Sequence, residues 1–408
     1  MNRIIVEKYG GSSVGSVDRM KAIAANVVTR HSLGYKMVIV VSAMGDTTDD
    51  LISLMNQIAV SPRHREMSML LSTGEMVSSA LLSMAIQALG KSATSLTGPQ
   101  GGIHADSVHT EAKISSIDTR RILELLERDE IIVMAGYQGK VGDDITVLGR
   151  GGSDASAVAL AAALGADQCN IYTDVNGVYS ADPRVVPDAS LLDCISYEEM
   201  IELAGSGARV MMGRAVEIAR KYNLDVLVKS SFDESSGTLI TREDALEKVV
   251  ITGVAANTDV AKISIYGLHR NAHAILRCVA GLNVNIRLLT VNEMPNHETN
   301  LSIIVHPDEV MPIRQKLDEL KRSEQIKSYA INTDVAKVSI VGSGIATHSG
   351  VAFDMFDCLA EAGIDVFMTS TSEIKISAII PKHAANDAVR ALHTTFKLNT
   401  IKRKLAEA

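Results

Sequence analysis

The residues best suited to chemistry gather in two glycine-containing turns. The first, Lys8-Tyr9-Gly10-Gly11-Ser12-Ser13, follows the aliphatic run Ile4-Ile5-Val6 and precedes a helical pattern near Val17. Glycines let backbone N–H groups approach phosphate oxygens, a helix N-terminus favours negative charge, and a lysine supplies a point charge for a phosphoryl group in transfer. Taken alone the turn is ambiguous, because glycines and a serine cap join many strands to helices. It is not a Walker loop, since no G-x-x-x-x-G-K-[ST] spacing surrounds it.

The second turn is Leu148-Gly149-Arg150-Gly151-Gly152-Ser153-Asp154, which opens an alanine-rich stretch. The planar guanidinium of Arg150 is suited to gripping a substrate carboxylate bidentately. A plainer reading has Ser153 or Asp154 capping the helix while Arg150 sits on the surface. Two phosphate-type turns in one region favour the chemical reading. No His/Asp/Ser arrangement and no nucleophilic cysteine points to a covalent enzyme intermediate.

Such turns need a rigid frame, and the pattern around them supplies one. Ile4–Lys8, a helix near Val17–Ser32, Met37–Val41, a helix near Thr48–Val60, Ile131–Ala135 and Asn170–Thr173 alternate as in a mostly parallel sheet covered by helices, an α/β fold. Continuous runs such as Met37-Val38-Ile39-Val40-Val41 suit strands buried on both faces. Asp154–Gly165 is nearly all Ala, Val and Leu, and predicts a helix packed on that sheet.

Further on, Asp259-Val260-Ala261-Lys262-Ile263-Ser264-Ile265 is nearly repeated as Asp334-Val335-Ala336-Lys337-Val338-Ser339-Ile340. Each copy leads into a glycine, a helical stretch and a strand ending Leu282-Asn283-Val284-Asn285-Ile286 or Ile364-Asp365-Val366-Phe367-Met368. An internal duplication follows. Glu243–Val250 reads as the connection between the two regions.

Bulk properties narrow the function. A chain of 408 residues suggests two to three domains. Lys+Arg 40 against Asp+Glu 48 gives a net charge of −8, which argues against a nucleic-acid partner. The four cysteines, Cys169, Cys194, Cys278 and Cys358, form no C-x-x-C pair and read as reduced small hydrophobes of a cytoplasmic protein. His269, His273 and His297 have no metal-ligand spacing, so no protein-held metal is expected. The first apolar run is too short for a signal peptide or a membrane span.

Over nearly its whole length the chain resembles the aspartate kinases, which join an amino-acid kinase (carbamate kinase-like) sandwich to two ferredoxin-like ACT domains. The resemblance is carried by Lys8–Ser13, Ser42-Ala43-Met44-Gly45-Asp46-Thr47-Thr48-Asp49, Ser72-Thr73-Gly74-Glu75, Gly149–Asp154, Tyr172-Thr173-Asp174-Val175-Asn176-Gly177-Val178-Tyr179 and Ala181-Asp182-Pro183-Arg184. It implies a catalytic domain over residues 1–245 and ACT domains over 246–330 and 331–408. It implies ATP and Mg2+ as cofactors, L-aspartate as acceptor, and a homo-oligomer formed through the ACT domains.

The resemblance also implies site roles. Lys8, Arg150 and Asp154 fall at catalytic positions, with Asp154 orienting lysines or metal. Thr48, Glu75, Arg150, Gly151, Gly152 and Ser153 match the aspartate-recognising positions, Arg150 holding the α-carboxylate and Glu75 the amino group. Lys8, Tyr9, Gly10, Gly11, Ser12, Thr173, Asp174, Tyr179, Arg184 and Arg209 match the nucleotide site. Plainer readings stand beside these: Glu75 as an acid in a helix's first turn, Thr48 as a cap, Tyr179 as a half-buried strand residue, Arg184 as a solvated loop charge.

In the second repeat Ser349, Gly350 and Val351 open a helix and Ser370, Thr371, Ser372 and Glu373 follow a strand, an arrangement that suits an amino-acid effector. Relatives commonly carry Pro where Ser349 stands. The first repeat departs further, with the short connection Gly267-Leu268-His269-Arg270-Asn271, and with Leu288-Leu289-Thr290 where relatives often have a Gln-Asn pair. These departures put feedback inhibition by lysine or threonine in question and suggest a tail kept as a dimerisation surface. The rival readings are a kinase for another small carboxylate, such as glutamate, and a catalytically silent amino-acid sensor.

Overall fold

The computed structural model describes residues 3–208, 210–242, 251–268, 272–282, 284–293 and 299–400. Arg209, the Glu243–Val250 connection, His269, Arg270, Asn271, Asn283 and His297 lie outside the described residues.

An eight-stranded sheet organises the N-terminal region, in the order Cys194–Ser196, Thr238–Thr241, Val226–Ser230, Gln168–Thr173, Ile4–Tyr9, Lys36–Val41, Ile131–Ala135, Ala93–Leu96. Ile4–Tyr9 is central and runs parallel to both of its neighbours. Only Val226–Ser230 and Thr238–Thr241 pair antiparallel in this sheet. Met37 to Val41 are fully buried, which accounts for the unbroken apolar run, because helices cover both faces.

On one face Val6, Val38, Val40, Ile132 and Met134 pack against Ala157, Val158, Leu160 and Ala161 of the Gly152–Leu164 helix. On the other, Ile5, Tyr9, Ile39 and Val133 meet Met20, Ile23 and Val27 of the Val17–Ser32 helix and Leu82 and Ile86 of the Thr73–Ala88 helix. Side chains alternate across a strand. Lys8 therefore shares the face of the alanine-rich helix, while Glu7 and Tyr9 take the opposite one.

A smaller four-stranded sheet carries the hairpin Gln138–Val141/Asp144–Val147, which delivers the second glycine turn. The stretch His64–Ala88 is long and apolar enough, by length and composition, to cross a membrane. Here half of it is buried, and it carries Glu75 to the end of the sheet.

The C-terminal region is a six-stranded antiparallel sheet, ordered Leu288–Glu293, Thr299–Val305, Gly253–Leu268, Ser328–Val341, Lys375–Pro381, Met368–Thr371. The duplicated segments lie in its two long central strands. Gly253–Asn257 pairs with Val341–Lys337, and Lys262–Tyr266 pairs with Asn332–Ser328, with register shifts in between. The first half of each long strand thus completes the unit built on the second half of the other.

Candidate active site

The parallel strands end on one edge, where open α/β sheets place their ligands. There Lys8 Nζ lies 2.7 Å from Asp154 Oδ1, with side chains 11% and 10% exposed. The contact is a close ion pair without hydrogen-bond alignment. With little water to screen it, Lys8 is a fixed positive charge held by the first turn of the alanine-rich helix.

Gly11 is needed for a close approach of two loops. A Cβ there would come within 3.0 Å of the Ala43 carbonyl oxygen and 3.1 Å of that of Gly45. The Gly11 carbonyl instead accepts the Gly45 amide at 3.1 Å. The following helix starts only at Val17, and its N-cap Ser16 already accepts from the Arg19 amide. The Gly10 amide donates to the Tyr172 carbonyl at 3.2 Å and the Ser13 amide to the Gly10 carbonyl at 3.0 Å, so the turn offers the amides of Gly11 and Ser12 rather than the terminus of that helix. Ser12 is exposed, whereas buried Ser13 places its hydroxyl 2.7 Å from that of Ser231. The Tyr9 side chain turns to the other face, stacks on Tyr172 and donates to buried Glu7 at 3.0 Å. Only the Tyr9 backbone belongs to the turn.

The second turn uses two left-handed glycines, Gly149 at φ +75° and Gly151 at φ +70°. A Cβ on Gly151 would fall 1.7 Å from Met212 Cγ. Gly151 is the N-cap and carries no capping side chain, so neither Ser153 nor Asp154 plays the plain capping role. The Gly152 amide donates to the Gly149 carbonyl at 2.9 Å, which leaves the Ser153 and Asp154 amides for an anion. Arg214 ties the turn down, donating from Nη1 to the Leu148 carbonyl and from Nη2 to the Ala112 carbonyl, both at 2.8 Å. Arg150 itself is exposed.

Gly151→Ala should therefore lose about 2 kcal/mol of stability, from positive φ and the Met212 clash, and displace Arg150. Thermal melting together with kcat/KM for the acceptor checks this. An alanine variant with parental values for both would mean the turn tolerates the shift.

Glu75 stands in the first turn of its helix, as its plainer reading has it, and it is 3% exposed. Its Oε1 accepts the Ala43 amide at 3.1 Å, and Oε2 is buried without a partner among the described residues. Burial pushes the carboxyl up to about 7. Tyr137, at φ +68°, lies within reach of both charges: burial first, then Glu75, pushes its phenol up to about 12, while Arg150 opposes the shift. Thr48 is half-buried near the start of the Thr47–Ile58 helix, whose N-cap is Asp46. A carboxyl and a guanidinium that both act on one tyrosine complement the two ends of an amino acid.

On the other side of Lys8, Thr173 ends its strand and donates to the exposed Asp174 at 3.1 Å. Tyr179 is half-buried and bridges to Leu191. Arg184 is 85% exposed and pairs with Asp182 at 2.7 Å, an arrangement that also fits a solvated loop charge. Tyr137, Met212, Arg214 and Ser231 are the site residues that the sequence does not announce. Only the Gly136-Tyr137 step after a buried strand hints at one of them.

Residues 3–230 match the amino acid kinase family, and residues 338–396 match an ACT domain. The aspartokinase of Pseudomonas aeruginosa is 45% identical over 98% of this chain and 99% of its own length. The chain belongs to the aspartokinase family. Aspartokinase 2 of Bacillus subtilis is 42% identical over 97% of this chain and 98% of that one. Among solved structures, E. coli aspartokinase III in complex with aspartate and ADP covers 96% of this chain and 99% of its own, at 21% identity and a TM-score of 0.83, which shows the fold.

As an aspartokinase the chain is a kinase, a phosphotransferase of α/β architecture with C-terminal ACT domains. In this aspartokinase an open recess of about 550 Å³ gathers Gly350, Val351, Thr371, Ser372 and Glu373 beside His348. Ser349 and Ser370 flank that recess in sequence without lining it. All four cysteines are unbridged, and complete burial pushes the Cys169 thiol up to about 12.

Proposed function

We propose that this aspartokinase transfers the γ-phosphoryl group of ATP to the β-carboxylate of L-aspartate, giving 4-phospho-L-aspartate. The observation that carries the reading is the buried Glu75 Oε2, unpartnered among the described residues, with Arg150 acting on the same Tyr137. That spacing of charges takes an α-ammonium at Glu75 and an α-carboxylate at Arg150. Thr48, Gly151, Gly152 and Ser153 complete the acceptor side.

The acceptor carboxylate is ionised at neutral pH, so no general base is required. Catalysis is then positioning plus charge neutralisation. Lys8, held by Asp154, faces the charge that builds on the transferred group. The amides of Gly11 and Ser12 hold phosphate oxygens, Tyr9 and Gly10 fix the turn to the sheet, and Thr173, Asp174, Tyr179 and Arg184 serve the nucleotide. Arg209 belongs to the same reading by motif alone.

Mg2+ prefers few carboxylates together with substrate phosphates, and the carboxylates Asp154 and Asp174 near the strand ends fit that donor set. When bound it would offset phosphate charge. The acyl-phosphate product is activated for later reduction, as a first step toward lysine, threonine and methionine requires. Under the same reading the recess at Gly350 and Glu373 takes an amino-acid effector. The open sheet edges at Leu288–Glu293 and Met368–Thr371 suit a homo-oligomer.

ATP-dependent hydroxamate formation tests this, with L-aspartate, L-glutamate or no amino acid, with and without Mg2+. Strong Mg2+-dependent signal with aspartate alone is expected. Equal signal with glutamate would turn the reading to a different acceptor, and no signal from folded protein to a silent sensor.

A further inference from the structure

The loop that follows Tyr179 does not close on the catalytic region alone. Ala181 and Val186 lie in one hydrophobic cluster with Val254, Ile340, Ala388 and Leu392 of the second C-terminal unit. Its backbone is tied there as well. The Ser180 carbonyl accepts the Val254 amide at 2.8 Å, and the Val185 carbonyl accepts Arg390 Nε at 3.2 Å.

One polar node fixes the geometry. Ser180 and Ser190 close the loop, the Ser180 amide donating to the Ser190 carbonyl at 2.9 Å and the Ser190 amide to Ser180 Oγ at 3.0 Å. Tyr179 and Leu191 form the next bridge outward. Ser180 Oγ also lies 3.1 Å from Nε2 of His393, on the Ala385–Thr395 helix, and the two residues are 0% and 2% exposed. Burial holds the imidazole below its ordinary value and so keeps it neutral, with one nitrogen free to accept. Ser180 Oγ takes the Ser190 N–H on a lone pair, which leaves its own proton for Nε2.

We infer that His393, a residue of the C-terminal region, is a positioning residue for nucleotide binding: by fixing the Ser180–Ser190 clasp it sets where Tyr179 stands at the mouth of the catalytic edge. The inference rests on the proposed placement of the nucleotide at Thr173–Arg184. It makes the regulatory region a structural part of the nucleotide side and leaves the acceptor side, at Glu75 and Arg150, outside its reach.

The test is steady-state kinetics of the full chain, varying ATP and aspartate separately, for His393→Leu, Ser180→Ala, the double variant, His393→Gln and Tyr179→Ala. His393→Leu and Ser180→Ala should each raise the KM for ATP by about three- to tenfold, the worth of one buried hydrogen bond. The aspartate KM should hold within about twofold. The double variant should be no worse than either single one, since both break the same contact. Gln, whose side-chain oxygen accepts as Nε2 does, should restore the ATP KM.

A parallel rise in both KM values would mark a merely structural role and overturn the inference. So would an unchanged ATP KM in Ser180→Ala, the milder change and the deciding variant if His393→Leu does not fold. If Tyr179→Ala raises the ATP KM while the Ser180 and His393 variants do not, the inference alone fails. If Tyr179→Ala leaves the ATP KM unchanged, the nucleotide placement itself fails.

Discussion

Lys8→Met should lower the rate of phosphoryl transfer by about 10³-fold, the largest kinetic effect expected of any single substitution here. Methionine keeps most of the length and the apolar stem and removes the ammonium group. Stability should fall too. Lys8 and Asp154 are both about nine-tenths buried, so the variant leaves the Asp154 carboxylate without its counter-ion, at a cost of about 3 kcal/mol. The two losses are separable by adding Asp154→Asn. The double variant should regain most of the thermal stability, because no buried charge is left unpaired, and none of the activity. Melting temperature and single-turnover rate, measured on the same samples, decide the matter. Recovery of turnover in the double variant would show that Lys8 serves the fold and not the chemistry.

The frame that holds this pair was readable because its cause is local. Met37–Val41 and Ile131–Ala135 read as strands because both faces of the sheet are covered, which demands unbroken apolar runs. The alanine-rich helix was bounded within about two residues, since small side chains suit close packing on a sheet and Gly165 stops the helix in the left-handed region. Motif chemistry singled out Lys8, Arg150 and Asp154 and the resemblance Glu75, and the structure pairs Lys8 with Asp154 and buries Glu75. The supporting contacts were hidden because they are tertiary. Arg214 sits in Arg214-Ala-Val-Glu-Ile-Ala-Arg220, where a charge reads as solvated, yet its guanidinium holds two carbonyls 66 and 102 residues away. Tyr137 looks like any aromatic after a strand, and only the backbone shows its positive φ.

The duplication in the tail was visible for the same reason, and the way its units share strands was not. A repeat declares that two units exist; it does not say that Gly253–Asn257 pairs beside Val341–Lys337 while Lys262–Tyr266 pairs beside Asn332–Ser328. That register is set by bulges and by burial of each half, neither of which has a residue signature of its own.

Glu75→Gln is expected to make the protein more stable at alkaline pH and nearly unable to bind acceptor. In the folded protein the Glu75 carboxyl is pushed by burial up to about 7, against an ordinary 4.5. A raised carboxyl pKa contributes stability that is fully present below the unfolded value and is lost as pH rises through the folded one. Above pH 7 the ionised, buried carboxylate therefore costs up to about 3 kcal/mol. Gln keeps an oxygen for the Ala43 amide and never ionises. The melting temperature of the variant should match that of the parent near about pH 4, exceed it increasingly between about pH 4.5 and 7, and hold a constant margin above about pH 8. Acceptor binding moves the other way. An arriving ammonium compensates the carboxylate at Oε2, whereas the Gln amide presents N–H groups to it, so the aspartate KM should rise by about 30- to 100-fold. In the parent the aspartate KM should fall as pH rises from 6 to 8 and Glu75 ionises, a dependence the variant loses. Equal melting curves across pH would place the titrating group elsewhere, and a pH-dependent aspartate KM in Glu75→Gln would separate that ionisation from Glu75. What makes the site costly to the empty fold at neutral pH is, on this account, what makes it select an amino acid: a carboxylate held dry until an ammonium meets it.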